Sequence, residues 1–305
     1  MRLRNSKHMS RNNKMFQIIC NGTMFVLSAC AIIPMLLLLI SSFTDNDTLI
    51  RNGYSFLPEK ISFYAYEYVF QSGNSIISAY GISVALTVIG TCSSLILTTL
   101  LAYALSKKDL PGKTILTFMV FFTMLFNGGL VPTYINYTRV FDLKNTFMAL
   151  LIPGLLMNGF NVLLMKSYFV TGVPTEILEA AYIDGAKEFK TFYLVALPLA
   201  KPVVATIGLF AGIAYWNDWQ NGYIYLTTRT DLYSVQNLLN RMIQNIQFLT
   251  QSGSSNTNAS VGLSTIPSVS VQMAVAVIGI LPIIVVYPFI QNSFVKGITL
   301  GGVKG

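Results

Sequence analysis

The residues able to perform acid–base, nucleophilic or metal chemistry are few in this sequence of 305 residues. The single histidine, His8, lies in a basic N-terminal tail, where we expect a solvated side chain rather than a catalytic one. Cys20, Cys30 and Cys92 lie in apolar stretches and lack the spacing of metal ligands or of a disulfide framework. The long apolar segments contain no histidine, glutamate or paired aspartate. The sequence therefore predicts no catalytic site and no metal site.

One short segment has the residue types that end a phosphate-binding loop, namely Gly112-Lys113-Thr114. The first glycine of that pattern is replaced by Lys107, and an apolar helix rather than a strand precedes the segment. We therefore predict a short cytosolic turn here, and no ATP hydrolysis by this chain.

The composition indicates which solvent surrounds the chain. Hydrophobic residues make up 53% of it, charged residues only 10%, and the mean hydropathy is +0.58. Soluble domains carry about 25% charged residues, because their surface must be hydrated. The chain has too little charge to cover a soluble globule of its size. This excludes a soluble enzyme, a disordered chain and a disulfide-rich secreted module, and it indicates a membrane protein.

The apolar residues are grouped into segments long enough to cross a bilayer. A helix needs about 20 mostly apolar residues to cross roughly 30 Å of hydrocarbon, whereas a barrel strand needs about ten of alternating polarity. The predicted fold class is therefore an all-α membrane protein with six transmembrane helices. The second segment is longer than a bilayer is thick, so we expect it to tilt or to project into water. The six segments are residues 15–41, 76–105, 115–134, 146–165, 202–219 and 269–290.

The basic residues predict an orientation. Of the 20 lysines and arginines, fourteen fall at the ends of the spans on one side, together with both chain termini, and six fall on the other. Basic residues are enriched on the cytosolic side of membrane proteins, so both termini are predicted to be cytosolic. The net charge of +8 is thereby explained without a nucleic-acid surface. The predicted domains are a basic tail (1–14), a membrane domain (15–291) and a C-terminal tail (292–305).

The longest external loop, residues 220–268, contains a stripe of apolar residues at helical spacing. We consider two interpretations: a helix lying on the membrane domain or its interface, or a docking surface for an external partner. Residues 251–265 are rich in Ser, Asn and Gly, which predicts a flexible segment. The apolar stripe consists of Leu232, Val235, Leu239, Met242, Ile243 and Ile246.

The internal loop, residues 166–199, holds four of the twelve acidic residues. Pro174 is suited to start a helix, and Gly185 to end it in a turn. A second short helix over 186–193 would then lead to Pro198 and the fifth span. Alanines and isoleucines occupy one face of the first helix, and small side chains allow a partner to approach closely. On these grounds alone, the loop is either a solvated amphipathic element or a docking element.

The residues of this loop resemble the signature of the permease subunits of ABC importers. Glu179-Ala180-Ala181 is followed by Gly185 after six residues and by Pro198 after nineteen, as in the EAA motif of that family. Asp184, Gly185 and the alanine after them are similar to the carbohydrate branch. The resemblance to permeases of the maltose-transporter type extends over residues 15–305, including 101–106, 216–218, 294–297 and 301–305. Residues 127–133 resemble permeases for polysaccharides or oligosaccharides.

The resemblance implies a type I ABC importer permease fold in a bacterial plasma membrane. It implies a heterodimer with a second permease, two ATPase subunits that bind ATP and Mg, and an extracellular solute-binding protein. This chain itself would bind no cofactor and would be no enzyme. The residues implied to couple it to the ATPases are Glu179, Ala180, Ala181, Asp184, Gly185 and Pro198.

Recognition of a sugar requires aromatic faces and a few hydrogen-bonding groups. The candidate substrate path combines two asparagines of the fourth span with a polar and aromatic run at the outer end of the fifth. The two tryptophans also fit an interfacial aromatic belt. Within transport, a permease for peptides is the alternative to a carbohydrate importer, and an intramembrane enzyme is a further alternative outside it. The candidate residues are Asn158, Asn161, Tyr215, Trp216, Asn217, Asp218 and Trp219.

Overall fold

A computed structural model describes residues 11–71, 73–253 and 268–302, and within these ranges the chain is helical. Apart from one isolated antiparallel bridge between Thr44 and Ile61, they contain no β structure. The all-α prediction is confirmed. The α-helices are α1 (Arg11–Ser42), α2 (Asn46–Asn52), α3 (Tyr64–Phe70), α4 (Gly73–Ser106), α5 (Lys113–Leu125), α6 (Leu130–Ile135), α7 (Met148–Leu151), α8 (Gly159–Thr171), α9 (Thr175–Ile183), α10 (Glu188–Thr191), α11 (Leu197–Leu199), α12 (Lys201–Asn217), α13 (Gln220–Tyr225), α14 (Val235–Gly253) and α15 (Ser268–Gly302).

Within the described residues, two helices are long and apolar enough to cross a membrane by themselves, as predicted for the first two spans. They are Met15–Ser42, with a mean hydropathy of 2.6, and Ser75–Ser106, with a mean hydropathy of 2.0. Two bent helix pairs bring the number of candidate spans to four, and Val269–Val285 is a shorter apolar helix. The fifth and sixth predicted segments coincide with α12 and with α15. α15 runs without a break from Ser268 to Gly302, through the predicted start of the C-terminal tail.

The third and fourth predicted segments are not continuous helices, because each is broken within its length. The third bends by 115° between Lys113–Leu125 and Leu130–Val140, next to Gly129, whose φ is +84°. The fourth consists of α7, a break that contains Gly154 (φ +71°), and then α8. Glycine is the residue that adopts positive φ without steric cost, so these positions end helices that hydropathy alone makes continuous.

The chain divides into two compact units. The first comprises residues up to 71 together with 246–278. Within it, the end of α1 is held by Phe43, which stacks on Tyr66 at 4.9 Å between ring centroids. The Asn46 side chain accepts hydrogen bonds from the backbone amides of Val269 (3.1 Å) and Ser270 (3.4 Å). It thereby satisfies amides of the first turn of α15 that have no partner within the helix.

The second unit comprises residues 72–245 and 279–305, and α4 is its central helix. α4 packs along both α12 and α8. Many side chains of this interface are small or aliphatic, which lets the helices approach closely. The core residues that are inaccessible to solvent are Ala102, Leu105, Val162, Met165, Ala196, Ala200 and Ile207.

The first half of α14 belongs to the second unit and is packed within it. Val235 and Leu239, from the predicted apolar stripe, are 1% and 3% exposed. This supports the interpretation of a helix lying on the membrane domain for that half. The predicted flexible segment begins inside α14, because the helix continues to Gly253; the remainder of that segment lies outside the described residues.

Gly90 of α4 lies directly against the ring of Tyr215 of α12. A Cβ atom at this position would overlap the ring of Tyr215, whose hydroxyl donates a hydrogen bond to the Leu151 carbonyl at 2.9 Å. Because that hydrogen bond is buried, the tyrosine has no free rotation by which to make room.

We therefore expect Gly90→Ala to destabilise the protein by about 1–3 kcal/mol, the range for overpacked interiors. The measurement is the thermal unfolding midpoint of the purified protein. Gly81→Ala is the matched control on the same helix, because a Cβ atom there meets nothing within 4 Å. An unchanged midpoint in Gly90→Ala would contradict the close approach.

Candidate functional site

The internal loop, residues 166–199, folds into two helical arms joined by a turn. Its first arm, α9, begins at Thr175 after Pro174, as predicted. Pro174 has φ −61° and ψ 132°, an extended conformation in which proline precedes a helix without strain. Glu176 lies in the first turn of α9, where the positive end of the helix dipole stabilises a carboxylate.

The end of α9 explains the spacing of the glycine in this loop. Gly185 has φ +79°, and its amide donates to the Tyr182 carbonyl at 3.0 Å. The amide of Ala186 donates to the Ala181 carbonyl at 2.9 Å. These two bonds form a Schellman motif, which satisfies the last carbonyls of a helix and requires a left-handed residue, usually glycine. The alanine pair and Gly185 are thus parts of one helix terminus, with Asp184 between them.

The second arm is longer than the predicted helix over 186–193. It starts at Glu188 with α10, continues as a π-helical turn over Phe192–Ala196, and ends in α11 with Pro198. Phe192 of this arm packs in the core and is 6% exposed. Its ring centroid lies 5.0 Å from that of Tyr103, at the end of α4. The backbone then turns by 82° into α12.

The outer face of the loop is apolar and exposed. Ile183 is 86% exposed, Phe189 72% and Ile177 44%. The side chains of Glu179 and Ala180 are exposed beside them. Large apolar side chains exposed together with small ones are typical of an interaction surface rather than of a solvated helix.

Four side chains connect the two arms to the end of α4, and we call them the polar clamp: Tyr103, Lys107, Tyr182 and Glu188. The Lys107 ammonium group lies 3.2 Å from Oε2 of Glu188 and donates to the hydroxyl of Tyr182. The hydroxyl of Tyr182 donates to Oε1 of Glu188 at 2.9 Å. The ammonium group also lies 4.5 Å from the ring centroid of Tyr103 and 4.9 Å from that of Tyr182. Lys107 thereby connects the end of α4 to both arms of the loop.

The clamp also stabilises its own charges. Burial opposes the charge of Lys107, but hydrogen bonds to the two tyrosines and to Glu188 outweigh it and raise the pKa of the ammonium group. Burial likewise opposes the charge of Glu188, but hydrogen bonds from Tyr182 and Lys107 lower the pKa of the carboxyl group. Both residues are therefore ionised at neutral pH, and the ion pair is complete there.

The sequence did not predict the clamp. Lys107 was considered only as one of the basic residues that predict orientation and as the residue in place of a glycine in the phosphate-loop pattern, and Glu188 was only one of the four acids of the internal loop. The available signal was the placement of Tyr182 and Glu188 on either side of the Gly185 turn, which brings them onto one side of the loop. Their common partner, Lys107, is 75 residues from Tyr182 in the chain, and no local pattern connects them.

The candidate substrate-path residues of the fourth segment are held within the fold. The side chain of Asn158 caps α8, accepting hydrogen bonds from the amides of Phe160 (2.9 Å) and Asn161 (3.3 Å). Asn161 is 8% exposed within α8. Asn158 is exposed, but its oxygen is already used in the cap.

The residues at the end of α12 separate into buried and exposed groups. Tyr215 and Trp216 are 3% and 8% exposed, and the Trp216 indole donates to the Gly279 carbonyl at 3.2 Å. An interfacial belt is therefore the wrong interpretation for Trp216. The Asp218 carboxylate accepts from the amide of Asn221 at 3.3 Å, which caps the start of α13. Asn217 and Trp219 are the exposed members.

The described part of the chain holds no group of three or more His, Cys, Asp or Glu side chains able to bind a metal ion. Gly112 has φ +73° and precedes α5, with no strand before it, so the turn does not have the surroundings of a nucleotide-binding loop.

A family model and several known proteins match this chain. Residues 94–300 match the family model described as binding-protein-dependent transport system inner membrane component. The chain is 34% identical to the polygalacturonan/rhamnogalacturonan transport system permease protein YtcP of Bacillus subtilis (strain 168), covering 96% of this chain and 99% of that one. It is also 34% identical to Protein LplC of the same organism, over 98% of each chain.

A solved structure is similar to this one over most of its length. It is a bacterial ABC transporter involved in the import of the acidic polysaccharide alginate. The TM-score is 0.74 and the sequence identity 29%, covering 95% of this chain and 100% of the matched chain.

The clamp predicts a pH-dependent interaction energy. In a double-mutant cycle of Lys107→Met and Glu188→Gln, we expect about 0.2–1 kcal/mol at pH 7, since the Glu188 side chain is 66% exposed and partly screened. The carboxylate contribution is present above its unfolded-state pKa and is lost as the pH falls through the lowered folded-state value. Thermal unfolding of the purified protein at pH 7 and at pH 4 measures both.

The matched control is the Arg229–Asp231 pair, whose side chains are 53% and 60% exposed and lie two residues apart in one loop. Arg229→Gln and Asp231→Asn should leave the midpoint unchanged. A cycle energy for the clamp that is zero at pH 7, or equal at both pH values, would disprove the shared ion pair.

Proposed function

Because this chain belongs to the family of binding-protein-dependent transport system inner membrane components, we propose that it carries a carbohydrate, of oligosaccharide length, into the cell by alternating access. It is a permease subunit of an ABC importer, a multi-pass protein of the bacterial plasma membrane and a transport subunit rather than an enzyme. The proposed cargo rests on the relatives, whose names specify polygalacturonan/rhamnogalacturonan, arabinooligosaccharides and maltodextrin.

The observation that carries the mechanism is the exposed, partly apolar face of α9 and α10 next to the polar clamp. We propose that this face docks on an ATPase subunit, with Glu179, Ala180 and Ala181 at the contact. Asp184 and Gly185 form the turn between the arms, and Pro198 lies where the second arm approaches α12. The small side chains permit a close contact, and the exposed Ile183 and Phe189 supply the apolar area that docking would bury.

The complete transporter would contain further subunits. We propose a second, different permease, two ATPase subunits that hold ATP and Mg, and an extracellular solute-binding protein. In this arrangement the present chain contributes six spans, with both termini in the cytosol. Its domains are the basic tail (1–14), the membrane domain (15–291) and the C-terminal tail (292–305).

The polar clamp would transmit a movement of the ATPase subunits to the membrane helices. If α9 moves with its partner, Tyr182 moves with it, and the shared hydrogen bonds carry Lys107 and the end of α4 along. α4 packs against α8 and α12, so its displacement changes the arrangement of the helices that surround it. Partner contacts that differ between two states are what shift such an equilibrium.

The solute path is proposed at the outer end of α12. Asn217 lies there on an exposed stripe with Phe210, Ile213 and Ala214, which offers an amide beside an apolar surface. Trp219 is 37% exposed and offers an aromatic face. The buried Tyr215 and Trp216 and the caps formed by Asn158 and Asp218 would hold these groups in place, and Asn161 stiffens α8.

Two alternatives were open from the sequence. A peptide permease would use the same coupling loop, and the carbohydrate names of the relatives favour the sugar. An intramembrane enzyme is not favoured, because the family consists of transport components.

Coupling is tested with Glu179→Lys and Gly185→Pro. We expect solute uptake to fall roughly tenfold or more, since coupling energies of about 1–3 kcal/mol correspond to 5–150-fold effects. Lysine reverses an exposed charge, and proline removes the Gly185 amide and is confined to negative φ. The measurement is uptake into proteoliposomes at equal amounts of complex.

The control is Glu59→Lys, which replaces an exposed carboxylate in a different loop and should keep full uptake. Normal uptake in both loop variants would remove the coupling assignment.

The cargo is tested by the ATPase activity of the reconstituted complex with its binding protein. Oligosaccharides of uronic or neutral sugars should stimulate hydrolysis, while oligopeptides of similar length should not. Stimulation by peptides alone would favour the peptide permease. When the same sugars are titrated against the Asn217→Ala variant, the concentration needed for half-maximal stimulation of ATP hydrolysis should rise. In the Glu59→Lys variant that concentration should be unchanged.

A further inference from the structure

A cleft of about 360 Å³ opens at the start of α5 and next to α8. Two lysines, two threonines and two phenylalanines line it, and they come from both helices. The function proposed above uses none of them. The lining residues are Lys113, Thr114, Thr117, Phe118, Phe121 and Lys166.

The two lysines bring positive charge into the cleft without a carboxylate. The Lys113 ammonium group donates to the Ser106 carbonyl at 3.2 Å, and that of Lys166 donates to the hydroxyl of Thr117 at 3.0 Å. Both acceptors are neutral, whereas the salt bridges found in the described residues involve other cations. Burial, and then the charge of Lys113, lower the pKa of Lys166. An anion between the two ammonium groups would relieve that repulsion.

The start of α5 adds donors on the same side of the cleft. Gly112 precedes the helix and provides no side-chain cap, so the first amides of α5 are not satisfied by a side chain. The hydroxyl of Thr114 lies in this first turn. Lys113 and Thr114 of the first turn of this 13-residue helix line the cleft, so the positive end of the helix lies beside the two lysines, a combination that favours an oxyanion.

The other half of the cleft is apolar. Phe118 is 59% exposed and Phe121 43%, one and two helical turns along α5 from the lysine. No residue of α5 is buried, so the helix presents its apolar side chains outside the chain. A ligand that fills the whole cleft must therefore carry an anionic group at one end and hydrocarbon at the other.

We propose that this cleft binds an anionic phospholipid of the cytosolic leaflet, with its phosphate between Lys113 and Lys166 and its acyl chains along Phe118 and Phe121. Basic pockets at the cytosolic ends of membrane helices bind such headgroups. The assignment uses the cytosolic orientation of the lysines and is independent of which solute is transported. It also gives a role to Gly112-Lys113-Thr114, which has the residues of a phosphate site without the loop that a nucleotide needs.

The experiment is native mass spectrometry of the purified complex with phosphatidylglycerol and, separately, with phosphatidylcholine. We expect the complex to prefer phosphatidylglycerol, and Lys113→Gln/Lys166→Gln to abolish most of that preference. A lysine near an anionic surface contributes roughly fivefold to the binding constant, and the pair about twenty-five-fold. Lys108→Gln removes an exposed cation of the same turn that does not line the cleft, and it should retain the preference.

Two further experiments distinguish a phospholipid from a free anion as the ligand of the cleft. Inorganic phosphate at millimolar concentration should not displace the phospholipid if the apolar half contributes, and Phe118→Ser/Phe121→Ser should weaken lipid binding without affecting phosphate. Displacement by phosphate alone would assign the cleft to a free anion and overturn the proposal. Equal retention of both lipids, or a preference unaffected by the lysine substitutions, would overturn it as well. Loss of transport plays no part in these readouts, so they do not depend on the proposed function.

Discussion

Every backbone amide and carbonyl placed in hydrocarbon must be hydrogen-bonded within the protein, and the architecture of this chain follows from that requirement. It explains why apolar segments form helices, and it makes the ends of the helices the sites where side chains are most constrained. Asn158 caps α8, Asn46 caps α15, and Asp218 caps α13. Several residues that look suited to bind a polar solute are therefore used to complete helix ends.

The same requirement concentrates the polar interactions of the second unit at the boundary of its longest helix. Lys107 follows α4 directly, and there it meets Glu188 and Tyr182 from the two arms of the internal loop. A charge shared in this way is partly desolvated yet fully hydrogen-bonded, which makes the contact directional as well as favourable. The internal loop is consequently attached to the membrane helices by its inner side, while its apolar outer side remains available.

Hydropathy and charge predicted the parts of the fold that depend on solvent. The first two spans, α12 and α15 agree with their predicted segments, since a long apolar run has no other way to satisfy its backbone in lipid. The breaks at Gly129 and Gly154 were missed because an average over twenty residues does not register one backbone conformation. The turn at Gly185 was predicted, since it depends on local residues. The partners of Tyr215, Trp216 and Lys107 were not, since each lies more than sixty residues away in the chain.

The length of α4 has a mechanical consequence. Its 34 residues correspond to a rod of about 51 Å, roughly 20 Å longer than the hydrocarbon layer it would cross. A rotation of such a rod by about 10° around one end displaces the other by about 9 Å. A helix of this length would convert a small rotation at one side of the membrane into a displacement of several ångströms at the other. The close packing of Gly90 against α12 leaves little room for α4 to bend. A rotation of α4 would therefore be transmitted along the helix rather than absorbed.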